Sequence, residues 1–493
     1  MDVQVKAHLF NRAQPKRGPI AMANNKATKN SKKEEEKLPK KSIADLLKQL
    51  ALATSASSED DTEEQKPKPM SEYKFWKTQP VTKFNEAVSE EGPIDRREDV
   101  SKVPKESYAI LDLFEWSDLD IEDDSEMSEL YELLYEHYVE DHDSTFRFAY
   151  GKAFFNWALK TPGWKKQWHL GVRVKKTKKL VAFISAVPAT LRVRGNTFKA
   201  VEINFLCVHK QLRNKRLAPL LIKEITRRVH LENVWQALYT SGTLLPSPIS
   251  TCRYTHRPLN WEKLCDVGFS ALPLGKTRAQ MVAKYALPSI TKCTGLRRME
   301  VRDVDAVHSL FTQFQKRYQL TQLFTKEELT HLLLGDDEEQ KKPDGEKVIV
   351  TYVVENTEKK ITDFFSFYVL PFTVLNNSVY KSLGVAYLYY YATETGLDKP
   401  RYDAQATNEL KKRLENLISD ALVLAKGIGM DVFNAMTSQD NVLFLEDLKF
   451  GPGDGFLNYY LFNYKAFPVG GGFDSQTREY ELEKRSDVGV VML

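Results

Sequence analysis

Lys199-Ala-Val-Glu-Ile-Asn-Phe-Leu-Cys-Val-His209 runs into the basic turn Lys210-Gln-Leu-Arg-Asn-Lys-Arg216 and then into Leu217-Ala-Pro-Leu-Leu-Ile-Lys-Glu-Ile-Thr-Arg-Arg-Val229. Within the first stretch Ala200 to His209 alternates and is rich in β-formers, which predicts a buried strand. In the third, Leu217, Leu220, Leu221, Ile225 and Val229 recur at helical spacing. Strand, basic turn, helix is an anion-binding layout. The first N–H groups of such a helix lack partners and sit at the positive end of its dipole, with Arg213, Lys215 and Arg216 beside them to hold a pyrophosphate. A merely solvated basic turn has the same sequence signature.

The surrounding chain narrows the classes of function. Its 493 residues carry 71 basic and 67 acidic side chains, a net charge of +4, and suffice for one large globular unit or two smaller ones. No basic stripe with interleaved aromatics occurs, so nucleic acid is not an implied partner. Four cysteines (Cys207, Cys252, Cys265, Cys293) without CxxC spacing argue against a disulfide framework or structural zinc. A reducing, cytoplasmic setting is expected, and no metal-ligand motif is present. The N-terminus lacks a signal-peptide apolar region, and no apolar run reaches the length of a membrane span. A lipid-chain substrate would therefore arrive as a soluble thioester.

Residues 1–70 are rich in Lys, Glu, Ser, Asp and Pro and read as a disordered, charged tail. Within it Ser42, Ile43, Leu46, Leu47 and Leu50 form one short amphipathic stripe, either a docking element or a transient helix. Its basic run is compatible with nuclear import or ribosome contact, between which composition does not choose. From Tyr73 onward strands and helices mix irregularly, an α/β (α+β mixed) signature. Two segments, 108–138 and 296–318, share the order strand, Asp-bearing turn, helix, which fits either a duplicated unit or coincidence. The acidic, lysine-rich stretch 335–347, with Pro343-Asp-Gly345, predicts an exposed loop.

Three segments carry a family resemblance. Glu202 to His209 and Lys449-Phe-Gly-Pro-Gly-Asp-Gly455 resemble the two signature motifs of the N-myristoyltransferases (glycylpeptide N-tetradecanoyltransferases), and Tyr73-Lys-Phe-Trp-Lys-Thr-Gln-Pro80 resembles their N-terminal acyl-CoA segment. The likeness covers about 73–493 and is of fungal type. It implies two fused acetyltransferase-like (GNAT-like) halves with pseudo-two-fold symmetry: 71–290 for myristoyl-CoA and 291–493 for the peptide. Arg213-Asn-Lys-Arg-Leu-Ala218 supplies basic residues where acetyltransferases carry glycines, so that analogy is one of fold. The implied reaction moves a fourteen-carbon acyl group from myristoyl-CoA, a co-substrate, to the N-terminal glycine amine of other proteins.

By the same resemblance Lys74, Phe75, Trp76, Phe205, Leu206, Cys207, Val208, Asn214, Arg216, Leu217 and Ala218 contact the acyl-CoA. A ladder broken at Phe205 and Leu206 would aim backbone N–H groups at the thioester carbonyl and stabilise an oxyanion. Cys207 beside it could be read as an acyl-accepting nucleophile, but direct transfer to an amine needs none and buried free cysteine is commonly core.

An α-amine with a pKa near ~8 must lose a proton before it attacks. The chain ends in Val488-Gly-Val-Val-Met-Leu493, whose residues alone suggest a final edge strand with an exposed carboxylate. The resemblance instead makes the Leu493 carboxylate the base, with Asn204 and Thr240 holding the amine and Gly242 following in the same turn. It also assigns Tyr138, Val139, Glu140, Asp141, Asp143, Phe146 and Phe148 to an acidic and aromatic loop that binds the peptide, joined by Tyr254, His256, Tyr389, Gly453 and Asp454. Carboxylates among aromatics suit a substrate with a basic residue beyond its glycine, although a solvated acidic turn looks alike and His142 replaces an acid of some relatives. Gly453 lets backbone approach the substrate glycine. Two other readings stay open from the residues: an acetyltransferase-like enzyme using a short acyl-CoA, and a non-catalytic binder of acyl-CoA or of a lipidated peptide.

Overall fold

The computed structural model describes residues 67–96, 98–139, 145–335, 346–474, 480 and 485–493. Outside these lie the tail through 66 with its 42–50 stripe, Glu140, Asp141, Asp143, and most of the loop expected at 335–347. In chain order the first elements are β1 (Phe114–Asp118), α1 (Asp124–His137), β2 (Phe146–Phe148), α2 (Lys152–Leu159), β3 (His169–Val174), β4 (Leu180–Val193) and β5 (Asn196–Val208). Next come α3 (Leu217–Leu231), β6 (Gln236–Ser241), β7 (Ser250–Pro258) and the short helices α4 (Trp261–Asp266) and α5 (Arg278–Tyr285). There follow β8 (Leu296–Arg298), α6 (Val304–Gln315), β9 (Leu320–Leu323), α7 (Lys326–Leu334), β10 (Ile349–Glu355) and β11 (Ile361–Val369). The chain closes with β12 (Phe372–Val374), β13 (Ser382–Leu383), β14 (Val385–Thr393), α8 (Ala404–Gly427), β15 (Val432–Met436) and β16 (Gly451–Phe462).

The mixed α/β class expected from the sequence is what forms, and its order repeats. Three antiparallel strands, a helix and a parallel strand appear as β3–β4–β5–α3–β6 and again as β10–β11–β14–α8–β15. Parallel neighbours need a long crossover, which α3 and α8 supply. The shared pattern of 108–138 and 296–318 is the opening of each repeat. Asp123 caps α1 through the Ser125 and Glu126 N–H groups, and Arg297 grips Asp303 ahead of α6.

One 13-stranded sheet joins both repeats in the order β1-β3-β4-β5-β6-β16-β7-β15-β14-β11-β10-β8, with β9 added against β4. Exchanging each strand for its counterpart reproduces this order reversed, which is the pattern of a pseudo-two-fold axis. At the centre the last strand of each repeat crosses over: β7 pairs with β15, β16 with β6, and the two with each other. Strand β14, deep inside, is buried at every residue, including the tyrosine run 387–391.

The C-terminal segment is pinned by a buried charge cluster. Asp440 receives Arg317 at 3.3 Å, Arg401 at 3.4 Å, Arg485 at 3.2 Å and the Tyr318 hydroxyl at 3.0 Å. Burial by itself would raise its pKa, but the three guanidiniums hold it below the usual carboxylate range. Arg401 also donates to the Ser486 carbonyl at 2.5 Å and pairs with Asp487 at 2.6 Å. Beyond, the Gln439 N–H donates to Val488 O (2.7 Å), the Gly489 N–H to Leu320 O (2.8 Å) and the Val491 N–H to the Tyr390 hydroxyl (3.1 Å). A Cβ on Gly489 would lie 2.5 Å from both Gln315 Oε1 and Tyr318 Cδ2, so a larger residue must push the segment away. Val488, Val490, Val491 and Met492 are buried, and the segment meets β9 only through an isolated Leu320–Val488 bridge. It is therefore not the edge strand that its residues alone suggest: tertiary hydrogen bonds replace the ladder.

Asp440→Asn should lower the free energy of unfolding by about 3–5 kcal/mol, the scale for stranding buried charges. A shifted urea midpoint checks this, and an unchanged one would show that the arginines do not need the carboxylate.

Candidate active site

The strand expected at 200–209 forms as β5, and it is interrupted where the signature residues lie. Phe183 faces Cys207 and Ser185 faces Asn204, so the single residue Ile184 of β4 opposes both Phe205 and Leu206. This is a β-bulge, and it takes Phe205 to a left-handed φ of 56°, uncommon outside glycine. On the other edge, parallel pairing with β6 stops at Ile203 and Tyr239, whereas β6 continues along β16 to Ser241. The two strands part, and Asn204, Phe205 and Leu206 are left along the opening.

A largely apolar cavity fills that opening, with about 870 Å³ of empty space including the part open to solvent. Asn204, Phe205, Leu206, Thr240 and Leu493, all predicted from the sequence, line it together with Trp76 and Tyr138. Trp76 is held by stacking on Tyr239 at 5.5 Å, and Tyr239 in turn stacks on Tyr460 at 5.0 Å. The backbone N–H of Phe205 faces the Tyr138 hydroxyl and partly offsets the burial that raises that group's pKa. An oxygen at that position is thus within the field of the bulge. The Ser185 hydroxyl donates to the Asn204 carbonyl at 2.9 Å and steadies the strand on its far side.

Other walls were not anticipated. Ile222, Ile225 and Val229 of α3 line the cavity, yet the apolar spacing of this helix reads as ordinary core contact. Glu202, buried two residues before Asn204, is also unassigned by the sequence; a lone acid inside an apolar alternation was the available signal.

Several expected acyl-CoA residues lie away from the cavity wall. Lys74 is exposed, and Phe75 packs edge-on against Trp76 at 5.2 Å. Cys207 and Val208 follow the bulge. Burial pushes the Cys207 thiol up to about 12, which makes it a core residue and a poor nucleophile. Asn214, Arg216, Leu217 and Ala218 sit at the start of α3, where Arg216 is the N-cap at φ 62° and no side chain caps the first N–H groups. Arg213 departs from the expected phosphate grouping: its guanidinium donates to the carbonyls of His137 and Val208 and so ties the turn to α1 and β5.

The glycine-rich segment meets β7. A Cβ on Gly453 would lie 2.5 Å from His256 Nε2 and 3.0 Å from the Tyr254 carbonyl, so glycine is required for this approach. His256 Nδ1 lies 2.7 Å from Asn434 Oδ1. Burial lowers the His256 pKa, against the Asn434 contact and the charge of Asp454. Its ring meets Phe269 edge-on at 5.6 Å, and Phe269 meets Phe146 at 6.0 Å. Phe148 stacks on Tyr150 at 5.5 Å, and Tyr150 meets Phe205 at 5.7 Å, so aromatic rings run from β2 to the bulge. Val139 is buried, and Tyr389 packs in the core against Trp157 at 5.5 Å and does not line the cavity.

Among the described residues no group of three or more His, Cys, Asp or Glu side chains could hold a metal, and no helix is long and apolar enough to cross a membrane. Residues 93–252 match the family model described as Myristoyl-CoA:protein N-myristoyltransferase, N-terminal domain, and 266–491 match that of its C-terminal domain. The chain is 56% identical over 454 residues to the glycylpeptide N-tetradecanoyltransferase of Saccharomyces cerevisiae, covering 92% of this chain and 98% of that one. With the Candida albicans protein of the same name it shares 54% over 457 residues, covering 92% and 97%. A crystal structure of Saccharomyces cerevisiae N-myristoyltransferase with bound myristoyl-CoA is similar at a TM-score of 0.83 and 57% identity, covering 85% of this chain and 99% of that chain. Matched in both halves by the family models and nearly end to end by these relatives, the chain belongs to the myristoyl-CoA:protein N-myristoyltransferase family.

Proposed function

We propose that this acyltransferase moves myristate from myristoyl-CoA directly to the N-terminal glycine amine of protein substrates. The observation that carries the reading is the bulge at Phe205 and Leu206, opening into the same apolar cavity as Thr240 and Leu493. The backbone N–H groups of Phe205 and Leu206 receive the thioester oxygen as it gains charge. The Leu493 carboxylate takes a proton from the substrate ammonium, with Asn204 and Thr240 holding the nitrogen. The freed amine attacks the carbonyl carbon; the C–N bond forms, the C–S bond breaks, and coenzyme A leaves as its thiol with a proton from the same nitrogen. The other ammonium proton passes from Leu493 to solvent.

Trp76 and the apolar face of α3 offer the walls that a long acyl chain needs. We assign 71–290 chiefly to the donor and 291–493 to the peptide, with Tyr254 and His256 of the first half joining Gly453 and Asp454 of the second at the acceptor side. Selection for glycine is assigned to steric exclusion of a substrate β-carbon at the acceptor side. A preference for nearby basic residues rests on the acidic character of 140–143 in the sequence. The four free cysteines support a cytoplasmic setting.

Mass spectrometry of a glycine-initiated, lysine-containing peptide with myristoyl-CoA should show acylation at the α-amine. Removal of Leu493 should cut the rate by roughly 10²–10⁴-fold, the scale of a lost general base, with donor binding retained. No transfer by the intact chain, with the donor bound, would make it a binding protein instead. Cys207→Ala should transfer as fast per folded molecule as the parent; a trapped thioester on Cys207 would overturn direct transfer. Gly453→Ala should raise the peptide KM by roughly tenfold or more through displacement of His256, with myristoyl-CoA affinity unchanged.

A further inference from the structure

Glu202 is a buried carboxylate, 8% exposed, with which no cation pairs among the described residues. Its register neighbours are the apolar Val187 on β4 and Leu238 on β6. From β14 the Tyr389 and Tyr390 phenols lie within its electrostatic reach, and both are kept neutral by burial. Its polar contact is with Asn204, whose Nδ2 donates to Glu202 Oε1 at 2.6 Å. Burial pushes the Glu202 carboxyl up to about 7, with the Asn204 amide opposing.

Chemistry decides which way the Asn204 amide turns. A carboxylate only accepts, so the atom facing it must be Nδ2, and Oδ1 is left for the cavity that Asn204 shares with Thr240 and Leu493. We propose that Glu202 is a positioning residue for capture of the acyl acceptor: by holding Asn204 Nδ2 it presents Oδ1, beside the Leu493 carboxylate and Thr240 hydroxyl, to the N–H groups of a primary amine. This rests on the reading of the cavity given above. Once protonated, Glu202 can donate to Oδ1 instead; the amide then turns over and offers N–H groups to an ammonium that needs acceptors. Glu202 thus couples amine capture to its own ionisation, although the cavity lining does not include it.

The test is the pH profile of kcat/KM for a glycine-initiated peptide with myristoyl-CoA, in the full chain and in Glu202→Gln, Asn204→Ala and the double variant. One proton on the acid limb belongs to the reacting pair itself, the acceptor amine and the Leu493 carboxylate, and is common to all four proteins. In the parent the limb should steepen to two protons below about pH 7, where Glu202 takes up its own. Glu202→Gln should remove that second proton and lower kcat/KM at pH 8 by about twofold or more, because a glutamine amide can meet Asn204 with either Oε1 or Nε2 and so no longer fixes which atom Asn204 turns to the cavity. The Leu493 carboxylate is common to both, so the difference belongs to Glu202. Myristoyl-CoA binding, followed by tryptophan fluorescence, should not change, and Glu202→Gln should add almost nothing on the Asn204→Ala background. Superposable profiles for parent and Glu202→Gln, or multiplicative effects in the double variant, would overturn the role. Should Glu202→Gln not fold, Asn204→Ala decides: a limb that keeps its second proton without Asn204 refutes the coupling. No transfer by the parent chain would overturn the reading of the cavity itself, which the other arms leave intact.

Discussion

Past Ile203, strand β5 cannot remain in register with β4 on one edge and paired with β6 on the other, because Phe205 and Leu206 share the single partner Ile184. The bulge adds twist and turns β5 away from β6. The cavity exists because of that divergence, and so does the exposure of strand backbone to whatever fills it. Helix α3, which crosses from β5 to β6, then lies over a gap, so that Ile222, Ile225 and Val229 become walls of a site. The left-handed Phe205 is a local strain that the long β4–β5 pairing, running from Ala182–Val208 to Val193–Asn196, can hold in place.

The reciprocal exchange of β7 and β16 brings the second repeat to this opening. Strand β16 runs beside β6 and contributes Phe462, while the chain beyond 485 returns to contribute Leu493. That return depends on Asp440 and its arginines, with Arg401 shared between the cluster and the segment that starts at Ser486. Charge and burial are then combined in an unusual way. Leu493 lines a largely apolar cavity, and the buried Glu202 lies behind Asn204 of its wall.

Local pattern carries strand, turn and helix across 199–229, because side-chain periods of two and of 3.6 are properties of neighbouring residues. Motif resemblance carries the family and the composition of the site, and Asn204, Phe205, Leu206, Thr240 and Leu493 do meet at one cavity. The placement of charged side chains was less legible. Arg213 reads as a phosphate ligand by its neighbours in sequence, but the His137 carbonyl that captures its guanidinium lies 76 positions away. Tyr389 reads as part of a groove, yet strand β14 is covered on both faces and its ring belongs to the core.

By itself the sequence determined the alternation that buries β5, the apolar stripe of α3, the glycine at 453 and the apolar end of the chain. Only the tertiary structure decided that Val488 to Met492 would be buried without a strand, that Gly453 would press on His256, and that Glu202 would hold Asn204 without a cation beside it. The reason is physical. Periodicity states which residues avoid water, whereas hydrogen-bond partners and the electrostatic cost of a buried charge depend on groups supplied by remote parts of the chain.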